Sequence, residues 1–162
     1  MAAKETPATR AATRAGVSFV VHEYEHQPGA ESYALEAAVA LGVDPARVFK
    51  TLVVALRDGF AVCVVPSDAT LELRALGKHA AMAPVERAER VTGYVAGGIS
   101  PLGQRRPLPT YLDDSATHLD TVFVSAGRRG LDIELAPDDL ISLTHATVQK
   151  LRGDAAEDRA TR

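Results

Sequence analysis

The chain has 162 residues, 46% of them hydrophobic, and a formal net charge of −3 from 18 basic and 21 acidic residues that are interspersed. That length fills one core and is too short for two ordinary domains; no apolar stretch approaches the ~18 residues that cross a bilayer, and no conspicuous basic surface offers nucleic acid the counterion release on which purely electrostatic binding depends. The expectation is a cytoplasmic α/β domain with no membrane or DNA partner, whose contact with any nucleic acid is local, weak or assisted by another protein.

Residues 6–15 fit a short helix ended by Gly16 as its C-terminal cap, and the N-terminal stretch lacks the apolar run of a secretory signal. Residues 17–24 are β-branched and aromatic, hence a strand, which Gln27-Pro28-Gly29 breaks. A second helix covers residues 32–41, closed by Gly42, and Asp44-Pro45 pairs an N-cap with Pro at the first position of a short turn. The plainest hairpin joins residues 48–56 to 60–65 through Arg57-Asp58-Gly59, since Asp-Gly favours the positive φ such turns require. Helices are predicted at 71–77 and from Pro84 through Val91, followed by a Gly-rich stretch at 93–103. Short strands are predicted at 110–112 and 121–125 and, after the turn Gly127-Arg128-Arg129-Gly130, at 131–135; a last helix runs through Thr144. Several strands follow one another with no helix between them. That pattern favours a mixed or antiparallel sheet, curled into a partial barrel with peripheral helices, over a doubly wound parallel one. The domain is expected to span residues 1–150, with 151–162, charged and poor in large apolar side chains, as a disordered tail.

Three features carry chemistry. Lys50 enters an otherwise apolar strand, where it either snorkels to the surface or points its ammonium into a cavity suited to a phosphate or a developing oxyanion. Gly97-Gly98-Ile99-Ser100-Pro101 lets backbone N–H groups approach a ligand, or is simply a structural loop; it ends in no Walker or dinucleotide signature. Asp132 and Glu134 share one face of their strand, either solvated or lining a pocket with Lys50, in which case Asp132 orients the ammonium or holds a water. The single cysteine, Cys63, reads as a core residue, and no disulfide is possible. His22 and His26 have the spacing of a zinc pair, but in a strand running into a turn that spacing does not bring ligands together, and no metal is expected.

Four stretches in order resemble the YbaK family, related to the editing domain inserted in bacterial prolyl-tRNA synthetases. They are His22-Glu23-Tyr24-Glu25-His26, Val48-Phe49-Lys50-Thr51-Leu52, residues 92–103 and residues 124–135. The resemblance implies a mixed α/β pseudo-barrel of largely antiparallel strands with peripheral helices. It also implies hydrolysis of the ester between a misattached amino acid and the terminal adenosine of tRNA, without a cofactor. By the same likeness Lys50, Gly97 and Gly98 are the catalytic positions; because hydrolysis of an activated ester needs oxyanion stabilisation more than a strong nucleophile, the glycines' backbone N–H groups are expected to polarise the ester carbonyl. Tyr24, Thr51, Ile99, Ser100, Pro101, Ser125 and Asp132 are the substrate-binding positions. The expected partners are a mischarged tRNA acceptor end and prolyl-tRNA synthetase. Cysteine on tRNA-Pro is the implied substrate, attacked by its own thiol; related members prefer alanine or serine. The rival readings are a non-catalytic module that binds aminoacyl or nucleotide ends, and an ester hydrolase unrelated to tRNA; against the latter, no nucleophile elbow is present.

Overall fold

The structure, a computed structural model, describes residues 5–27 and 32–153. Most of the predicted break at Gln27-Pro28-Gly29, and the tail from 154 onward, lie outside those residues. Helix α1 (Pro7–Ala15) opens on a capping box in which the Thr6 and Thr9 hydroxyls each accept the other's backbone N–H, and Gly16 closes it at φ 73°. Ala8 and Ala12 turn its buried face to the core, where the Thr6 hydroxyl also donates to the Ala126 carbonyl. Helix α2 (Tyr33–Leu41) is capped by the Ser32 hydroxyl, and α3 (Val85–Thr92) and α4 (Pro137–Thr144) complete the α-helices among the described residues.

The strands form two sheets. In the first, β1 (Phe19–Glu23), β7 (Leu131–Leu135) and β6 (Val122–Arg128) lie in that order, all antiparallel. A register shift between Ser125 and Arg128 marks a bulge before the turn into β7. The second has the order β4-β2-β3-β5-β8, from β2 (Phe49–Leu56), β3 (Gly59–Pro66), β4 (Ala81–Met82), β5 (Thr110–Asp113) and β8 (Thr147–Gln149). Here β2 is antiparallel to β3 and β4, while β5 runs parallel to β3 and β8 to β5. Val48 bridges Phe123 in parallel, which ties the sheets edge to edge. Phe49, Val62, Val64 and Leu112 of one sheet pack with Val124, Leu131 and Ile133 of the other in the main core. This is the mixed, curled arrangement with peripheral helices that the strand pattern predicts. Among the described residues no helix is long and apolar enough to cross a membrane.

Three expectations need correction. The helix expected at 71–77 shrinks to a 3-10 turn, Leu73–Leu76, because Leu71 bridges Arg152 and the Glu72 N–H donates to the Leu151 carbonyl, which holds the chain extended. The edge strands β4 and β8 are too short to show alternation and were not predicted. The first residues of the expected tail are pinned. Leu151 is fully buried, and one Asp113 carboxylate oxygen accepts the N–H groups of Leu151 (2.7 Å) and Arg152 (3.1 Å). The other oxygen meets the Arg152 guanidinium at 2.7 Å and accepts the Ser115 N–H. Composition hides this because the anchor is a single leucine and a distant acid.

Asp113 is itself fully buried, so its removal strands several donors at once. Asp113→Ala is expected to lower unfolding stability by about 3 kcal/mol or more, read by urea denaturation, with faster amide exchange at Leu151. A loss below about 1 kcal/mol would contradict the pin.

Candidate active site

Strand β2 is fully paired on one side only. β3 accompanies it throughout, whereas β4 reaches only Val54 and Ala55 and the bridge to Phe123 engages Val48. Between these contacts the second edge is open. The Ser67 N–H donates to the Val48 carbonyl at 2.7 Å, which by antiparallel alternation turns the even-numbered residues of β2 toward β3 and the odd-numbered ones outward. The bond from the Ala83 N–H to the Val53 carbonyl, 3.0 Å, agrees with that parity. Thr51 therefore presents its N–H and C=O to the open edge, and its hydroxyl is buried with no hydrogen-bond partner among the described residues. A cavity of about 440 Å³ lies there. Lys50, Thr51 and Leu52 form its wall on β2, Ser125 and Asp132 the wall on the first sheet, and Tyr24 and Tyr33 flank it, with Gly97 and Ile99 supplied by the loop after α3.

Lys50 does not snorkel clear of this space. It is half-buried, and desolvation, opposed by the charge of Asp68, holds its pKa below the usual lysine range. Asp132, only 4% exposed, stands beside Ser125 and His22 in register, and burial pushes its carboxyl up to about 7. The two acids of β7 thus share a face but not an environment. Glu134 sits toward the rim, where bonds from the Thr121 hydroxyl (2.6 Å) and His22 (2.9 Å) outweigh burial and hold its pKa below the usual carboxylate range. Leu131, Ile133 and Leu135 fill the opposite, core face. Lys50 and Asp132 line one cavity, yet among the described residues no ion pair joins them, and the acid that acts on Lys50 is Asp68. The expectation that Asp132 orients the ammonium is therefore withdrawn. Burial, reinforced by Asp132, also drives the Tyr24 hydroxyl up to about 12, so it stays protonated and can donate.

The glycine loop divides by function. Gly97, at φ 87°, lines the cavity, and a Cβ there would come within 2.7 Å of the Arg129 Nε and 2.8 Å of the Tyr33 ring. Gly98 does not line it. Its N–H donates to the Val95 carbonyl at 2.9 Å, and a Cβ would lie 2.9 Å from the Arg128 Cα. Of the expected pair of carbonyl-polarising N–H groups, the one on Gly98 is thus already engaged; Gly98 serves the close packing of loop on turn. Ser100 and Pro101 are buried outside the lining, and the Ser100 hydroxyl accepts the Leu102 N–H. They shape the loop from behind instead of touching the cavity.

Two rim residues escaped the sequence reading. Arg129, which the sequence shows only as part of a turn, donates its Nε–H to the Ala96 carbonyl at 2.7 Å and lays its guanidinium 5.3 Å above the Tyr33 ring. Tyr33 opens α2, and the one signal for it was the Ser-Tyr pair at that helix start. The histidines part company, His22 to Glu134 and His26 to Glu36, and among the described residues no group of three or more His, Cys, Asp or Glu could hold a metal ion. Cys63 is fully buried, and burial pushes its thiol up to about 12, which leaves it inert as a nucleophile.

The environment of Asp132 has a measurable consequence. With a pKa of about 7 when folded against 3.8 as the ordinary value, the carboxyl binds its proton more firmly in the folded state. Stability therefore falls as pH rises from near 4 through 7. Asp132→Asn removes that slope: thermal melts of variant and wild type should nearly coincide near pH 4, and the variant should melt higher at pH 8. Parallel pH profiles would contradict the burial of an ionisable carboxyl here.

Residues 27–143 match the model of the aminoacyl-tRNA editing domain. The chain is 40% identical over 130 residues to EbsC of Enterococcus faecalis, whose name assigns it Cys-tRNA(Pro)/Cys-tRNA(Cys) deacylase activity; the match covers 76% of this chain and 79% of that one. Among solved structures, one described as a trans-editing enzyme for prolyl-tRNA synthetase superposes with a TM-score of 0.76 at 27% identity, over 93% of this chain and 99% of the other. A hypothetical protein superposes with a TM-score of 0.81 at 24% identity, over 91% and 100%, and shares the fold. The chain, with its cavity at the open edge of β2, belongs to the aminoacyl-tRNA editing domain family.

Proposed function

We propose that this chain is a trans-editing deacylase that hydrolyses the ester of cysteine mischarged onto tRNA-Pro. The observation that carries the reading is the cavity itself. It gathers outward-facing backbone groups of Thr51, the Gly97 loop, a desolvated lysine and a buried acid around one space. An aminoacyl ester is already activated, so its hydrolysis needs positioning and stabilisation of a developing oxyanion more than a strong protein nucleophile. The N–H groups of Thr51 and Gly97 polarise the carbonyl, and the Lys50 ammonium holds the ester end of the terminal nucleotide. The substrate's thiol attacks its own carbonyl: the C–S bond forms, the C–O bond to the ribose breaks, and water then opens the cyclic thioester. Asp132, with a pKa of about 7, is matched to take the thiol proton and return it to the departing ribose oxygen. This route selects cysteine by its chemistry.

The relative named as a Cys-tRNA(Pro)/Cys-tRNA(Cys) deacylase supports the substrate. A net charge of −3 favours recruitment by prolyl-tRNA synthetase in the cytoplasm over a tight independent grip on tRNA. The test is deacylation of cysteinyl-, alanyl- and seryl-tRNA-Pro by wild type and Lys50→Ala, with and without the synthetase. The expected result is preferential loss of the cysteinyl ester, faster with the synthetase. Lys50→Ala should slow it by about 100-fold or more while melting as a folded protein. A folded, fully active Lys50→Ala contradicts the mechanism. Loss of the alanyl or seryl ester instead reassigns the substrate, and no cleavage under any condition favours a non-catalytic binding module.

A further inference from the structure

Two cations stand near the cavity, Lys50 in its lining and Arg129 against the residues that line it. Lys50 lies in the wall, half-buried. Arg129 is exposed and outside the lining, carried by the turn that follows the bulge of β6 and set against Ala96, Gly97 and Tyr33, which do line the cavity. Its position is fixed from three sides. The Nε–H is tied to the Ala96 carbonyl at 2.7 Å, the guanidinium lies 5.3 Å over the Tyr33 ring, and Gly97 passes beneath with no room for a Cβ. Tyr33 is in turn held by the ring of His26, 5.8 Å away, which Glu36 anchors at 2.9 Å. A long surface arginine ordinarily surrenders rotamer freedom only at a cost. This one is pre-organised by contacts that use a single N–H, and among the described residues no acid pairs with it. Its neighbour Arg128 does meet Glu23, at 3.6 Å. The terminal guanidinium N–H groups of Arg129 are thus left for an acceptor outside the protein, and their planar fork suits a phosphate.

We propose that Arg129 binds the phosphate 5′ to the nucleotide that carries the ester, so that the substrate is gripped at two points, with the phosphate at the mouth and the ester against the open edge of β2. This rests on the deacylase reading for the identity of the ligand. It divides the labour of the two cations, leaving Lys50 to the ester end. It also gives Gly97 a second reason to be glycine, since any side chain there would displace the arginine and the tyrosine together.

The test needs no turnover. Adenosine and adenosine 5′-monophosphate are titrated against wild type, Arg129→Gln, Arg129→Lys and Lys50→Ala by NMR. Glutamine keeps a donor for the Ala96 carbonyl but removes the charge, so a merely structural strap would survive it. Wild type should bind the phosphorylated nucleoside about ten-fold more tightly than adenosine. Arg129→Gln should lose that gain and Arg129→Lys should keep part of it. A gain that persists in Arg129→Gln, a gain lost in Lys50→Ala instead, or no gain in wild type overturns the proposal. Each result stands apart from the deacylase reading, which fails only if cysteinyl-tRNA is left intact.

Discussion

Val48 is the point at which both sheets and the site are decided together. Its carbonyl accepts the Ser67 N–H, which starts the β2–β3 ladder, while the residue also bridges Phe123 at the edge of the first sheet. Bringing the sheets together at one residue, and letting them part beyond it, leaves residues 50–52 of β2 without a second ladder partner before Ala83 and β4 engage residues 53–55. Exposed sheet edges are usually shortened, charged or covered. Here the edge is enclosed in a cavity, so its backbone groups face a ligand and not another chain. The remaining site is built around that gap: the first sheet provides the opposite wall, and the Gly97 loop and the start of α2 frame the opening.

Burial then sets the chemistry. The same enclosure that desolvates Lys50 keeps Asp132 partly protonated near neutral pH. A partly protonated acid and a lysine lowered from its usual range line one cavity, and among the described residues no ion pair joins them. Burial disfavours the charged form of each, offset only in part at Lys50 by the charge of Asp68, and each gains from a ligand that supplies the complementary group. Such unrelieved polar burial is expected at a working site, where folding is weakened to favour binding or catalysis.

What the sequence revealed, and what it concealed, follows the range of the interactions. Capped helices, the Asp-Gly hairpin and the alternation of 131–135 are local, and each was legible. Lys50 stood out because an apolar strand gives a lysine few places to go, although the choice between surface and cavity required the neighbouring sheet. The motif resemblance located the loop but could not apportion its residues. That Gly97 faces the cavity while the Gly98 N–H is bonded to Val95 depends on a positive φ and on the turn at 127–130 pressing from behind. Arg129 and Tyr33, far apart in sequence and meeting over the loop, left only faint traces, as did the pairing of Asp113 with Leu151 and Arg152. The open edge of β2 was invisible, because an absent partner has no local signature.

The central claim is that the substrate's carbonyl is held by the backbone at the open edge of β2 and the Gly97 loop. The most direct measurement is a crystal structure with a non-hydrolysable analogue in which an amide joins cysteine to the 3′ position of adenosine 5′-monophosphate. The account expects the amide oxygen within about 2.7–3.2 Å of the Thr51 or Gly97 nitrogen, with the cysteine side chain in the cavity beside Asp132. An analogue bound with its carbonyl turned away from β2, or seated outside this cavity, would contradict it.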